Sequence, residues 1–487
     1  MRFVDLGVIL AYLIGVTWFG ARFRHGQKNL KDYFLGGRSA PWWAISLSIV
    51  SAETSTLTIV GTPGLSFGGN FGFLQIVFGY LLARVVISLV FLPQYFRGQM
   101  YTAYELMQRR FGSRIRKLTA ATFLITRSLA EGVRVFAVSI VISIILGTGE
   151  TASIILIVCL TLFYTFEGGM TAVIWTDVVQ MIMYVLGAGL SFWIILAKIP
   201  GGWPHVLQVA GAAGKFQVFN FHFSWTQPYT FWAGILGGCF LTTASHGTDQ
   251  LIVQRLLSAQ TENQSRAALF ASWVVVFLQF SLFLAIGVLL FVHYGDAGLD
   301  PPKPLDRLYP QFIWDNLPVG IAGLVTAAIL AAAMANLSAA LNSLATTTVV
   351  DFYRPVAGKL AGKLDDLRML RLARGATVLW GVVLVIIGTI ASHWGSVLES
   401  GLSIASVTLG MLLGVFLLGV LTTRVGEKAA MAGVVAGLAA ILYVKLETRI
   451  AFTWWVMIGS MVTFCVGYLC SFVVPSSSKE ILARTKA

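Results

Sequence analysis

Apolar stretches long enough to cross a hydrocarbon layer, about 20 residues each for roughly 30 Å, recur along this whole chain. Thirteen can be counted, near 4–22, 41–70, 72–96, 118–147, 150–166, 171–197, 229–250, 265–293, 317–350, 374–392, 395–422, 429–446 and 451–474. A soluble core could not bury that much: 57% of the 487 residues are apolar and 11% charged, with a mean hydropathy of +0.80. The expected fold class is therefore all-α, a polytopic membrane protein of about 13 transmembrane helices.

A net charge of +13 would suggest nucleic acid for a soluble chain, so the placement of the 34 Lys and Arg decides its meaning. Threaded alternately through a bilayer, the loops 22–38, 97–117, 251–266, 354–374 and 423–428 plus the tail hold 24 of the 34. The opposite loops hold seven, and Arg84, Arg127 and Arg134 fall inside spans. By the positive-inside rule this places a multi-pass protein in the cell (inner or plasma) membrane, N-terminus outside and C-terminus cytoplasmic. The expected partners are a lipid bilayer and a small solute, with no nucleic acid.

The first apolar segment carries its basic cluster behind it (Arg22, Arg24, Lys28, Lys31), opposite to a cleavable signal peptide, and reads as a retained span. Cys159, Cys239, Cys465 and Cys470 lie in spans without metal-ligand spacing, so neither a disulfide framework nor a metal centre is expected from them. The loops 198–228 and 294–316, rich in Gly, Pro and aromatics, suit short surface or re-entrant helices over an entrance.

The informative irregularity is Ser51-Ala52-Glu53-Thr54-Ser55-Thr56, six small or polar residues about ten residues into the second span. Hydroxyl side chains compete for backbone hydrogen bonds, and unwound backbone is tolerated at depth only beside protein or a water-filled cavity. A discontinuous helix at a binding site is expected there. Gly237-Gly238 is a comparable weak point in the seventh span, readable also as a site of close helix packing. Interruptions opening two five-helix units point to an inverted-repeat transporter. The organisation would then be 1–40, first span and cytoplasmic loop; 41–197, spans 2–6; 198–228, outer loop; 229–422, spans 7–11; and 423–487, spans 12–13 and tail.

Several segments resemble the sodium/solute symporter family in wording, order and spacing. They include Asp32-Tyr33-Phe34-Leu35-Gly36-Gly37-Arg38, Gly61-Thr62-Pro63-Gly64, Tyr101-Thr102-Ala103-Tyr104-Glu105-Leu106 and Gly168-Gly169. More diagnostic are Ala172 to Gln180, Gly247-Thr248-Asp249-Gln250 with Val253-Gln254-Arg255, and Leu341-Asn342-Ser343 leading to Asp351-Phe352-Tyr353. The resemblance implies a LeuT-type fold of 5+5 inverted repeats, alternating access, and uptake of a small organic solute coupled to sodium. Its cation site carries over to the carbonyls of Ser51 and Thr54, to Ala332, and to Ala335 and Asn336 in place of two hydroxyl residues. Ala335 offers no side-chain oxygen, whereas the Asn336 amide carbonyl is a plausible hard-cation ligand. Asp177 would support the cation's exit path, and Thr58 falls where sugar-carrying relatives contact their cargo.

By the same resemblance, Glu53 stands where relatives carry a polar or acidic residue beside the cargo. A lone buried carboxylate is costly, so it reads as a cation, proton or substrate contact, or as a structural partner of Arg84 or Arg134. With Gly237, Gly238 and Thr58 it makes the candidate substrate set. Arg127, Glu131 and Arg134 share a helix face at spacings of four and three, suiting mutual neutralisation or anion recognition. Asp249 and His246 suit capping or gating near the inner end of span 7, and Glu399 suits an outer vestibule. No metal triad, activated nucleophile or phosphate loop points to an enzyme. The leading function is a secondary active symporter driven by sodium; the alternatives are a proton-coupled symporter of the same fold and a non-transporting solute sensor. Substrate and oligomeric state are not readable from the residues.

Overall fold

The computed structural model describes residues 2–21, 38–97, 103–164, 170–353 and 366–474. Several expected cytoplasmic features fall outside that set: most of loop 22–38, residues 98–102, part of loop 354–374 and the tail beyond 474, together with Gly168-Gly169. Every regular element among the described residues is helical. In order these are α1 (Phe3–Ala21), α2 (Trp42–Glu53), α3 (Thr56–Gly68), α4 (Phe71–Arg97), α5 (Ala103–Phe111), α6 (Ser113–Leu146), α7 (Glu150–Tyr164), α8 (Met170–Lys198) and α9 (Gly202–Ala212). A π-helical turn (Ala233–Gly237) leads into α10 (Gly238–Gly247), followed by α11 (Gln250–Leu257), α12 (Glu262–Asp296) and α13 (Leu308–Asn316). Then come α14 (Ile321–Thr347), α15 (Asp366–Ala391), α16 (Val397–Leu421), α17 (Glu427–Glu447) and α18 (Phe452–Val473).

Seven of these are long and apolar enough to cross a membrane on their own, and α2 with α3, bent by 65° at their junction, are long and apolar enough together for a broken span or a re-entrant loop. Shorter apolar stretches of 10–17 residues lie within α1, α7, α14 and α15, and the segment near 229–250 is the π-helical turn with α10. A multi-pass helical membrane protein follows.

Helices α2 and α3 pack along α12, α2 also packs on α8, and α10 lies on α4. A second group joins α6, α7, α14 and α15, and α16 to α18 form a third. Side chains at these seams are small and tightly placed. A Cβ on Gly237 would lie 2.2 Å from the Thr453 carbonyl oxygen, and one on Gly238 2.5 Å from that of Ile76. The pair therefore serves close packing against α18 and α4. The π-helical turn Ala233–Gly237 ends on the first glycine of the pair, and a second irregularity falls at Thr248-Asp249.

Two ends can be told apart. One gathers the connections around 198–231 and 297–320; the other carries α5, α11 and the α16–α17 turn. At the first, Lys215 donates to the carbonyls of Phe67 and Gly69 at 2.6 and 3.0 Å, capping the C-terminus of α3. Burial pushes the Lys215 ammonium below its ordinary pKa. There too Asp5 of α1, fully buried and paired with Arg2, accepts from the amides of Gly320 and Gly323 at the start of α14.

Candidate solute and cation site

Helix α2 stops at Glu53 because the next two residues are extended, Thr54 at φ −82°, ψ 101° and Ser55 at φ −98°, ψ 174°. The Thr54 amide still reaches the Val50 carbonyl, which leaves the carbonyls of Ser51, Ala52 and Glu53 beyond the last turn of α2. Helix α3 restarts at Thr56, and the Ser55 side chain makes no cap bond to it. A negative helix end and a positive helix end thus face one another inside the protein, the first suited to a cation and the second to an anion.

Beside the break, Ser55, Thr56, Glu131, Arg134, Ala333 and Asn336 line a cavity of about 10 Å³. Three polar atoms at its wall are buried without a hydrogen-bond partner among the described residues: Thr56 Oγ1, Glu131 Oε1 and Arg134 Nε. Arg134 and Arg127 both face Glu131 Oε2, at 2.9 and 3.4 Å, as their spacing predicts. Two guanidinium groups and one carboxylate leave this stretch of α6 with excess positive charge at membrane depth, where charge is costly unless balanced. Asn336 is thereby brought to the break. Ala332 and Ala335 share its helix, but their side chains fall outside the described set. The Thr54 hydroxyl is held by Gln279 of α12 at 2.8 Å, so its backbone carbonyl is the freer oxygen.

Glu53 is not on this cavity's wall. Its Oε2 accepts from Arg84 at 3.0 Å and lies 3.1 Å from His246 Nε2. Of the two partners expected for it, Arg84 is the one engaged. Arg84 itself is fully buried, and also donates to the carbonyls of Leu269 and Tyr80. Toward the α11 end, Asp177 of α8 accepts from Arg255 at 2.9 Å and from Ser48 at 2.6 Å. Asp249 caps α11 through the Leu251 amide, the capping option read from the sequence. Thr58 is buried on α3, outside the cavity wall.

At the opposite end a larger cavity of about 440 Å³ is lined by Gly64, Asn70, Phe73, Tyr229, Asp306 and Glu399, among others. Glu399 accepts from the Tyr229 hydroxyl at 2.6 Å, and Asp306 from the Val397 amide at 3.1 Å. Asp306 lies in the connection before α13, where burial, reinforced by Glu399, lifts its pKa to about 6. Between the two cavities α3 and α16 touch: a Cβ on Gly61 would stand 2.9 Å from Leu398 Cβ, and Leu57 rests on Gly401. Sequence reasoning missed Ser48, Lys215 and Asp306, and met Arg255 only as part of a motif. None has a local signal, because each acts on a residue distant in the chain.

Comparison with known proteins identifies the family and the fold. The family model described as "Sodium:solute symporter family" matches residues 33–437. The human (Homo sapiens) sodium/iodide cotransporter is 29% identical over 456 residues, 91% of this chain and 69% of its own length. The sodium/sialic acid symporter NanT of Aliivibrio fischeri is 28% identical over 469 residues, 95% of this chain and 91% of its own. Among solved structures, the substrate-bound outward-open state of a Na+-coupled sialic acid symporter superposes with a TM-score of 0.84 at 26% identity, covering 97% of this chain and 99% of that one.

Proposed function

Since the chain belongs to the sodium:solute symporter family, and is by that membership a cation-coupled solute transporter rather than an enzyme, we propose that it uses sodium to accumulate a small organic anion. The observation that carries this reading is the break at Thr54-Ser55 facing Arg134. Freed carbonyls at the end of α2, with Asn336, give a hard cation its oxygens. The uncapped start of α3, Thr56 Oγ1 and the excess positive charge of Arg127 and Arg134 give an anion its donors. Iodide and sialic acid, the cargoes named for the two relatives, are both anions at neutral pH. The proton alternative needs a lone carboxylate at the break, and Glu53 is engaged by Arg84 and His246 instead.

In this reading the thirteen segments are thirteen spans, 41–197 and 229–422 are the inverted five-helix repeats, and the connections 198–228 and 294–316 face outside. The contact of α3 with α16 shuts the outer path, and Asp177–Arg255 shuts the inner one. A cysteine introduced within 205–215 should then be labelled only from outside the cell.

The deciding experiment is uptake into proteoliposomes under an imposed sodium gradient or an imposed pH gradient, using small carboxylates and their matched neutral amides. Sodium-driven accumulation of an acid and not its amide is expected, and Arg134→Ala should raise its KM by about 10- to 100-fold, the worth of a charge-assisted hydrogen bond. Accumulation driven by the pH gradient alone would overturn sodium, and equal uptake of acid and amide would overturn the anion.

A further inference from the structure

The connection between α9 and the π-helical turn contains Phe219-Asn220-Phe221-His222-Phe223-Ser224-Trp225, an aromatic residue at every second position. Residues 217–224 are neither helical nor turned. The rings associate with one another, Phe219 stacking on Phe221 at 5.7 Å between centroids and Phe223 meeting Trp225 edge-on at 5.2 Å. The rings are unusually uncovered for their size: Phe219 is 45% exposed, Phe221 64%, Phe223 49% and Trp225 46%.

This segment is fastened along its length. The Asn220 amide donates to Gln75 Oε1 of α4, and the Asn220 carbonyl accepts from the Phe231 amide. Carbonyls of Phe221 and Ser224 accept from the indoles of Trp232 and Trp454, and that of Trp225 from the Ala451 amide. Five backbone groups of the segment are thus held from behind while the rings stay uncovered.

What covers the rings is indicated by what lies beneath them. Phe219 stacks on Phe78 of α4 at 5.7 Å between centroids. On the same face of α4, four, seven and eleven residues further on, stand Leu82, Val85 and Leu89, with exposures of 44%, 39% and 66%. Exposed Trp232 likewise stands one turn above exposed Leu236, and α18, which carries Trp454 against Trp225 at 4.7 Å, goes on to exposed Met461 and Leu469. Each stripe is an apolar face of a crossing segment, hence a surface for acyl chains. The rings prolong all three stripes at one end, where Trp sits among headgroups and Phe at the boundary of headgroups and acyl chains.

We propose that Phe219, Phe221, Phe223 and Trp225 form a membrane-interface anchor, seated at the boundary of headgroups and acyl chains in one leaflet. It fixes the ends of α4, the π-helical turn and α18 at a set depth, so the helices beside the break have a lateral reference in lipid.

The test uses full-length protein with Cys159, Cys239, Cys465 and Cys470 replaced, reconstituted in phosphatidylcholine vesicles. A nitroxide is placed at Phe221→Cys or at His222→Cys, and its access to oxygen and to a water-soluble nickel chelate is measured. Oxygen should dominate at 221 and the chelate at 222. As a milder check, Trp225→Phe should remove a component of tryptophan emission quenched by lipids brominated near the headgroup end of the chain. Equal chelate access at 221 and 222 would mean a loop in water, and shielding of 221 from both reagents would mean a protein partner or second copy. Either result overturns the anchor.

Discussion

Arg255 Nη2 lies 2.9 Å from Asp177 Oδ2, so the short helix α11 is bolted to the N-terminal part of α8, and Ser48 of α2 bonds to both. Both charges are nearly buried, with side-chain exposures of 7% and 9%. Removing one leaves the other unpaired, at a cost of about 3–5 kcal/mol. Asp177→Asn and Arg255→Gln should each lower the thermal midpoint in detergent, and the double variant should recover a substantial part of the loss. A double variant as destabilised as the sum of the singles would show the two are not coupled.

Glu53 forms a junction between the end of α2, Arg84 of α4 and His246 of α10. Glu53→Gln should leave the protein inserted but lower its thermal midpoint, since buried Arg84 loses its carboxylate, and reduce solute accumulation by roughly tenfold or more. Accumulation at the wild-type level would assign Glu53 to the structural support of Arg84.

Asn336 stands at the break while its neighbour Ala335 has no side-chain oxygen to give. A dehydrated sodium ion needs about five or six oxygens, so restoring one with Ala335→Ser should lower the sodium concentration for half-maximal uptake. No change would place the ion elsewhere.

Asp306 carries a proton near pH 6 in the folded protein, well above the ordinary carboxyl value of 3.8. A raised carboxyl pKa means that folding favours the protonated form, so its stabilising contribution is full below about pH 4 and lost as pH rises through about 6. The difference amounts to up to about 3 kcal/mol at neutral pH. Asp306→Asn, which keeps an acceptor for the Val397 amide, should therefore raise the thermal midpoint by a few degrees at pH 7.5 and by only about half as much at pH 5. A variant destabilised at both would show that the carboxylate itself holds the connection.

The break at Thr54-Ser55 was legible because a run of hydroxyl and carboxyl side chains at membrane depth is too costly for an unbroken helix facing lipid. The mutual pairing of Arg127, Glu131 and Arg134 followed from helical spacing alone. Gly237-Gly238 was less legible: a pair of glycines looks the same whether it opens a helix or admits a neighbour, and here Gly237 closes the π-helical turn while the pair meets the carbonyls of Thr453 and Ile76. Asp306 with Val397 and Lys215 with Phe67 join positions 91 and 148 apart in the chain. Such pairings depend on how loops settle over helix ends, and no local pattern encodes them.

Asp5 reaches across from α1 to supply what α14 lacks at its own start, where Gly320 has no side chain to cap the helix. Fusion partners or purification handles joined near Arg2, and truncations that trim α1, would therefore disturb the helix that carries Asn336 from its far end. A reporter placed there would report on a weakened protein, and lost uptake could be mistaken for a damaged solute site.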